Sequence, residues 1–282
     1  MPRRFAMRTL LACAALAMQT LALPPAPLHA APKAEPWPRW EQHAAGSRLH
    51  IDHGAWDEFL QRNLDSKHPS GINRLDYAHV SQVDRLILDG YLKQQAALPI
   101  SSYNRNEQKA YWINLYNALT VQVVLQHWPV RSIRDIDISP GIFADGPWGA
   151  RLIAVEGVEL SLDEIEHRIL RPIWHDPRVH YAVNCASLGC PNLALRAYTV
   201  FNLEEQLEDA ARAYVNHPRG ARFDGNRLIV SSIYVWFQED FGGSEAGVIQ
   251  HLRRHAQGEL AARLADWRGG FDHAYDWAVN AP

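Results

Sequence analysis

Arg178-Val-His-Tyr-Ala-Val-Asn-Cys-Ala-Ser-Leu-Gly-Cys-Pro191 is the stretch on which the reading of the chain turns. Val179 to Val183 is a compact apolar run of β-branched and aromatic residues, a composition that predicts a buried strand. The run stops at Asn184-Cys185, and Ser187, Gly189 and Pro191 then impose a tight loop. A cysteine at the carboxyl end of a buried strand is held rigidly while its loop stays open to ligand, so a site is expected here. His180 precedes Cys185 by five residues on that strand. The two side chains would then point to opposite faces, about 16 Å apart.

Just upstream, Ser161-Leu-Asp-Glu164 is a capping box that opens a helix with Leu162, Ile165, Ile169 and Leu170 as its apolar stripe. Glu166 falls within that stripe. An unpaired buried carboxylate is too costly, which predicts an ion pair with Arg171 or Arg178. His167 stands four residues after Asp163 and four before Arg171, so Asp163 is expected to orient the ring and favour its imidazolium form. Earlier still, Asn104-Arg-Asn-Glu107 starts a helix running from Gln108 to Trp128, where Pro129 ends it. That helix carries Trp112 and is apolar nearly all round, as a fully buried helix is. Asn114 and Asn117 share one of its faces, and buried amides must be hydrogen-bonded. They either tie the helix to neighbouring backbone or line a pocket.

The remaining elements are ordinary. Asp52 is placed to cap a helix with Trp56, Phe59 and Leu60 on its inner face, and Ser81 opens another with Val83, Leu86, Ile87 and Tyr91 inward. Arg151 to Leu160 reads as a hairpin turning at Gly157, and a second hairpin turns at Asp224-Gly225. Asn202 to about His217 is helical. The densely aromatic run from Ser232 ends in an acid, and further helices begin at Ser244 and finish near Trp267. Helices outnumber strands, which gives an α+β class, mostly helical with a small antiparallel or mixed sheet.

The chain start carries Arg3, Arg4 and Arg8 and then an uncharged apolar run from Leu10 to Leu23. This is the anatomy of a signal peptide covering residues 1–30, with cleavage expected near Ala30 and a periplasmic or secreted product. Prolines at 24, 25, 27, 32, 36 and 38 predict a stiff linker over residues 31–45, followed by a single globular domain over 46–282. Loss of the three leader arginines takes the formal net charge from −3 to −6. A mildly acidic chain without a basic run is a poor nucleic-acid binder. No later segment approaches the length of a membrane span. Of three cysteines, Cys13 leaves with the leader, so Cys185 and Cys190 stand alone. In an oxidising compartment these two can pair.

Four stretches occur in order: NEQKAYWINLYNALT (106–120), SLDEIEHRILRP (161–172), DPRVHYAVNCASLGCPNL (176–193) and SSIYVWFQEDFGG (231–243). Together they resemble the domain of unknown function 547 family, with a family-defining core at about 100–243, and Tyr275-Asp-Trp277 is similar to that family's usual ending. The resemblance implies a cysteine where Cys185 stands, a cysteine or serine at the position of Cys190, and a Glu-His pair matching Glu166 and His167. Many relatives carry a histidine where this chain has Gln122, which argues against an indispensable proton-transfer role for that helix position. The resemblance implies no activity, because the family's biochemical function is unassigned.

Two classes of function fit these residues. In the first, the protein is a cysteine-dependent hydrolase or acyltransferase with Cys185 as nucleophile and His167 as base. Glu166 or Asn184 would orient the base, and Asn184, Asn114 and the amides near Ser187 would serve an oxyanion hole. With histidine before cysteine in the chain, this requires a permuted papain-like arrangement. In the second, the protein is a non-catalytic binding domain for a small-molecule or peptide-like ligand. Trp112, Asn114, Asn117, His180, Ser187 and Trp236 would then contribute to the binding surface, while Cys185 and Cys190 are structural or disulfide-bonded. The C-x4-C spacing is not that of thiol oxidoreductases. A zinc set of His180, Cys185 and Cys190 is opposed by the strand geometry, and no motif calls for a metal or another cofactor. Oligomeric state is left open.

Overall fold

The computed structural model describes residues 32–141 and 145–282, so the expected signal peptide lies outside the described residues. Within them, the fold is α+β. Helix α1 (Gly54–Asn63) leads into a short antiparallel pair, β1 (Leu64–Asp65) and β2 (Arg74–Leu75). Ser81 caps α2 (Gln82–Ala96) by accepting from the Asp84 amide. Its inner face is Leu88, Tyr91 and Leu92. Val83 and Leu86, expected inside, are 62% and 60% exposed. The consecutive apolar residues Leu86-Ile-Leu88 offer more than one phase for the helical stripe, and packing selected the one that buries Leu88 with Tyr91 and Leu92.

Helix α3 (Arg105–His127) is the axis of the larger core cluster and is buried from Glu107 to Val121, as its all-round apolarity requires. The hairpin β3 (Ile153–Val155) and β4 (Val158–Leu160) follows, turning at Gly157 with φ 78°. The turn residue Glu156 is also left-handed, and its carboxylate accepts from the Ser101 amide and hydroxyl. Next comes a helical stretch in three parts: α4 (Leu162–Glu164), a π-helical segment (Ile165–Leu170) and α5 (Arg171–Trp174).

Pro172 explains the π-helical segment. Proline has no N–H, so neither the His167 nor the Arg168 carbonyl can receive the usual bond from that position. Backbone N–H groups from the proline-rich segment replace it: Glu35 donates to the His167 carbonyl at 3.0 Å and Trp37 to the Arg168 carbonyl at 3.2 Å. Residues 32–41 therefore lie along this helix as a strap, with Arg168 over the Trp37 ring and Trp40 buried against Trp112.

The decisive stretch departs from its expectation. Val179–Ala182 is a helical turn, α6, and only Val183 beyond it is extended. The start signals lie just before the apolar run. Asp176 accepts from the Arg178 amide through its carboxylate and from the Val179 amide through its carbonyl, and Pro177 supplies a helical φ. Four apolar residues satisfy either a strand or a helical turn when every side is buried, and here the cap decides. The opposite-face separation of His180 and Cys185 therefore falls away with the strand. α6 sits at the seam of the core: Val179, Ala182 and Val183 belong to the α3 cluster, and Tyr181 to a second cluster.

That second cluster lies around α7 (Leu203–Val215) and the mixed sheet of β5 (Ala221–Asp224), β6 (Arg227–Ser231) and β7 (Asp272–Ala274), with α8 (Ile233–Trp236), α9 (Glu245–His255) and α10 (Gly258–Ala265). β5 and β6 pair antiparallel across Asp224-Gly225, and β7 joins β6 in parallel. No described helix is long and apolar enough to cross a membrane.

Candidate functional site

The loop after α6 is fixed from three directions. From α3, Asn117 donates to the Ala182 carbonyl and accepts from the Asn184 amide, at 2.9 and 2.8 Å. Asn114, one helical turn earlier, does the same to both sides of Tyr198. Both amides thus serve as backbone clamps, not pocket groups. Asn184 is spent likewise: its side chain donates to the Pro191 carbonyl and accepts from the Ala186 amide. That occupies the amide expected for an oxyanion hole. From the third side comes the C-terminal tail, whose residues 276–280 bond to the loop at Ala186, Leu188 and Gly189. Gly189 is required there, since a Cβ would stand 2.8 Å from the Asp276 nitrogen.

Held this way, Ala186 adopts φ 55°, a conformation that L-residues rarely take. The resulting corner presents the Cys185 side chain to two hydroxyls, Tyr275 at 3.0 Å and Ser187 at 3.2 Å, which are themselves 2.9 Å apart. Cys190 lies beneath, accepting from the Cys185 amide at 3.0 Å. Both cysteines are free thiols, Cys185 partly exposed and Cys190 buried. Hydrogen bonding from the Cys190 thiol, aided by Ser187 and Tyr275, holds Cys185 below the usual thiol range against the opposing effect of burial. Burial pushes Cys190 well up, and it pushes Tyr275 well above 10, so that phenol stays a donor. Trp236 stacks near Tyr275 at 4.8 Å and on Trp277 at 5.5 Å, and Trp148 meets Trp277. These rings back the thiol centre. Trp112 is instead core, packed between Trp40 and Tyr111.

A second polar centre is buried beside the π-helical segment. His180 Nε2 reaches Asp240 at 2.6 Å and its Nδ1 faces Glu166 at 3.5 Å. Burial lowers the affinity of this ring for a proton, but the two carboxylates prevail and raise its pKa, which favours the imidazolium. Arg171 donates to the same Asp240 oxygen at 2.6 Å, to the Pro32 carbonyl, and to His167 Nδ1 at 3.1 Å. Phe237 stacks on His180 at 4.2 Å, and the Arg171 guanidinium lies over that ring. Burial raises Glu166, yet the positive charge of His167 in acid, His180 and Arg171 hold it down to about 2.

Three expectations change here. The direct partner of Glu166 is His180, because Arg171 is committed to Asp240 and Arg178 to Asp176 and Glu204. His167 is neutral: burial, joined by Arg171, lowers it to about 4 despite Glu166 and the Asp163 carboxylate 3.6 Å away. Nor does His167 serve Cys185. Among the described residues no histidine hydrogen-bonds the Cys185 sulfur, so the Cys-His dyad and the permuted papain-like arrangement built on it are not formed. No group of three or more described His, Cys, Asp or Glu side chains converges to hold a metal ion. Two surface clefts among the described residues, lined from Ile51–Lys67 and Leu195–Asn202, contain none of these residues.

Two functional candidates escaped the sequence reading. Asp240 was visible only as the acid ending an aromatic run. Tyr275 was visible only as part of the terminal Tyr-Asp-Trp.

No curated protein and no solved structure matches the chain significantly. Residues 100–215 match the family model described as "Protein of unknown function, DUF547". That segment spans α3, the π-helical turn, the Cys loop and α7, and so contains Glu166, His180, Cys185 and Cys190, but neither Asp240 nor Tyr275. That segment, with both clamping asparagines and both cysteines inside it, is similar to the DUF547 family of proteins of unknown function.

Proposed function

We propose that this is an exported cysteine-dependent enzyme in which Cys185 is the nucleophile and hydroxyl groups do the work sequence reading assigned to a histidine. The observation that carries this is the convergence of the Tyr275 and Ser187 hydroxyls on one partly exposed sulfur, at 3.0 and 3.2 Å. Hydrogen bonds to a thiolate favour the ionised form, and the thiolate is the reactive species. A preformed thiolate needs no base at the moment of attack, which removes the need for His167. Once sulfur bonds to an electrophilic centre, the same two hydroxyls can donate to the oxygen on which charge develops. Hydrolysis or acyl transfer through a thioester is the class that uses these parts.

The Glu166–His180–Asp240–Arg171 centre supports this reading as a rigid mount. It locks α6, three residues before Cys185, to the π-helical segment and to the turn after α8. Export rests on the Arg3, Arg4 and Arg8 start and the uncharged run behind it.

The test is the pH dependence of iodoacetamide labelling on native, reduced protein, read by peptide mapping. Cys185 should label with a midpoint below the ordinary thiol value of about 8.5, and Tyr275→Phe should move that midpoint upward. A Cys185 that labels only after unfolding would sink the proposal.

A further inference from the structure

The thiol centre contains a second sulfur that nucleophilic chemistry by itself does not use. Cys190 is 4% exposed, and its Sγ lies 3.0 Å from the Cys185 amide nitrogen. It is held there by its own amide, which donates to the Ser187 carbonyl, and by a contact of its thiol with the Val183 carbonyl. The pair is asymmetric. One thiol is reachable and hydrogen-bonded toward ionisation, and the other is enclosed beneath it in a loop closed by only four intervening residues. Redox-reactive cysteines have this form: an accessible thiolate next to a resolving thiol.

Access narrows the class of oxidant. The sulfur is only partly exposed, and the rings of Trp236 and Trp277 back the Tyr275 hydroxyl that touches it. A bulky disulfide must bring a sulfur into line with the attacking one, whereas a hydroperoxide presents a terminal oxygen. The Ser187 and Tyr275 hydroxyls, 2.9 Å apart and both at the sulfur, are placed to hold such an oxygen.

We infer that Cys185 and Cys190 form a peroxide-reactive dithiol, in which Cys185 is oxidised by a hydroperoxide and Cys190 resolves the product to a disulfide. The inference rests on Cys185 being the nucleophile. In the first step the Cys185 thiolate attacks the terminal oxygen, the S–O bond forms as the O–O bond breaks, and the departing alkoxide or hydroxide takes a proton from solvent. The peroxide is reduced and Cys185 becomes a sulfenic acid. In the second step the Cys190 sulfur attacks the Cys185 sulfur. The S–O bond breaks, the hydroxyl leaves with the Cys190 proton as water, and the disulfide closes.

The experiment treats the reduced full chain with hydrogen peroxide in the presence of dimedone and maps the peptides. In the wild type, Cys185 and Cys190 should become linked, without a dimedone adduct. In Cys190→Ser the adduct should accumulate on Cys185. In Cys185→Ser, Cys190 should stay a free thiol. Oxidation should run about ten-fold faster than that of free cysteine at pH 7, where an ordinary thiol is only a few per cent ionised. Wild-type protein that carries dimedone or a sulfinic acid on Cys185, with Cys190 still free, would overturn the inference. The nucleophile reading would survive that result if iodoacetamide still labels Cys185 below the ordinary midpoint. Failure of both peroxide and iodoacetamide to react with Cys185 would remove the two together.

Discussion

Replacing Glu166 by glutamine keeps the side chain's shape and removes one charge from the buried centre. The carboxylate is held from its ordinary 4.5 down to about 2, although burial alone would raise it. Each pKa unit is worth about 1.4 kcal/mol, so that interval corresponds to about 3 kcal/mol of native-state stabilisation at neutral pH. The group is fully enclosed, at 7% exposure, so solvent screening takes little of this away. The sign follows from the direction. The folded carboxyl titrates below the unfolded one, so its contribution is complete above about pH 4.5 and is lost as pH falls through about 2. Glu166→Gln should therefore cost about 3 kcal/mol at pH 7 and less than half of that, about 1.4 kcal/mol, at pH 3. For a domain of this size the neutral-pH cost is a fall in Tm of roughly 6–12 °C. Paired urea titrations of both proteins at pH 7 and pH 3 read the two numbers. An equal penalty at both values would mean that the loss comes from packing and not from the charge, and no penalty at pH 7 would refute the burial argument.

Further outcomes are expected elsewhere. Gly189→Ala places a Cβ 2.8–2.9 Å from the Asp276 backbone and the Tyr275 ring. It should push the tail off the Cys loop, cost about 1–3 kcal/mol and raise the midpoint of Cys185 alkylation, because Tyr275 withdraws. An unchanged midpoint with a lowered melt would show that Tyr275 does not set the thiol's reactivity. Asn117→Ala leaves the Ala182 carbonyl and the Asn184 amide buried without partners, which should cost roughly 2–4 kcal/mol. Hydrogen exchange at the Asn184 amide should accelerate selectively, and global acceleration alone would argue against a local clamp. Trp37→Ala removes the ring under Arg168, at 4.2 Å, and the edge contact with Trp40. The Glu35 and Trp37 amides should then exchange faster, with a stability loss of about 1–3 kcal/mol. If they exchange as before, the π-helical carbonyls do not depend on the strap.

Local chemistry made much of the chain legible. The side-chain cap at Asn104, the capping box at Ser161 and the Asp224-Gly225 turn announced their elements, because each signal is a bond between residues a few positions apart. The burial of α3 followed from its apolarity on every side. The i, i+4 spacing correctly brought Asp163, His167 and Arg171 together. Cys185 was recognisable as a site candidate from its corner of small and turn-forming residues. What spacing could not supply was the sense of those contacts. Asp163, expected to charge His167, leaves it neutral, since burial and the Arg171 cation outweigh the Glu166 and Asp240 carboxylates that favour the charged ring.

The sequence by itself determined the α+β class, the buried central helix and the position of the Cys185 loop, all of which rest on patterns within some twenty residues. Tertiary structure alone decided who meets Cys185. Tyr275 arrives from ninety positions away because β7 pairs with β6 and delivers the tail across the loop, and Asp240 reaches His180 from sixty away because the turn after α8 lies against α6. At Val179–Ala182 burial on all sides left strand and helical turn equally satisfied, and the Asp176-Pro177 cap just before the run selects the turn.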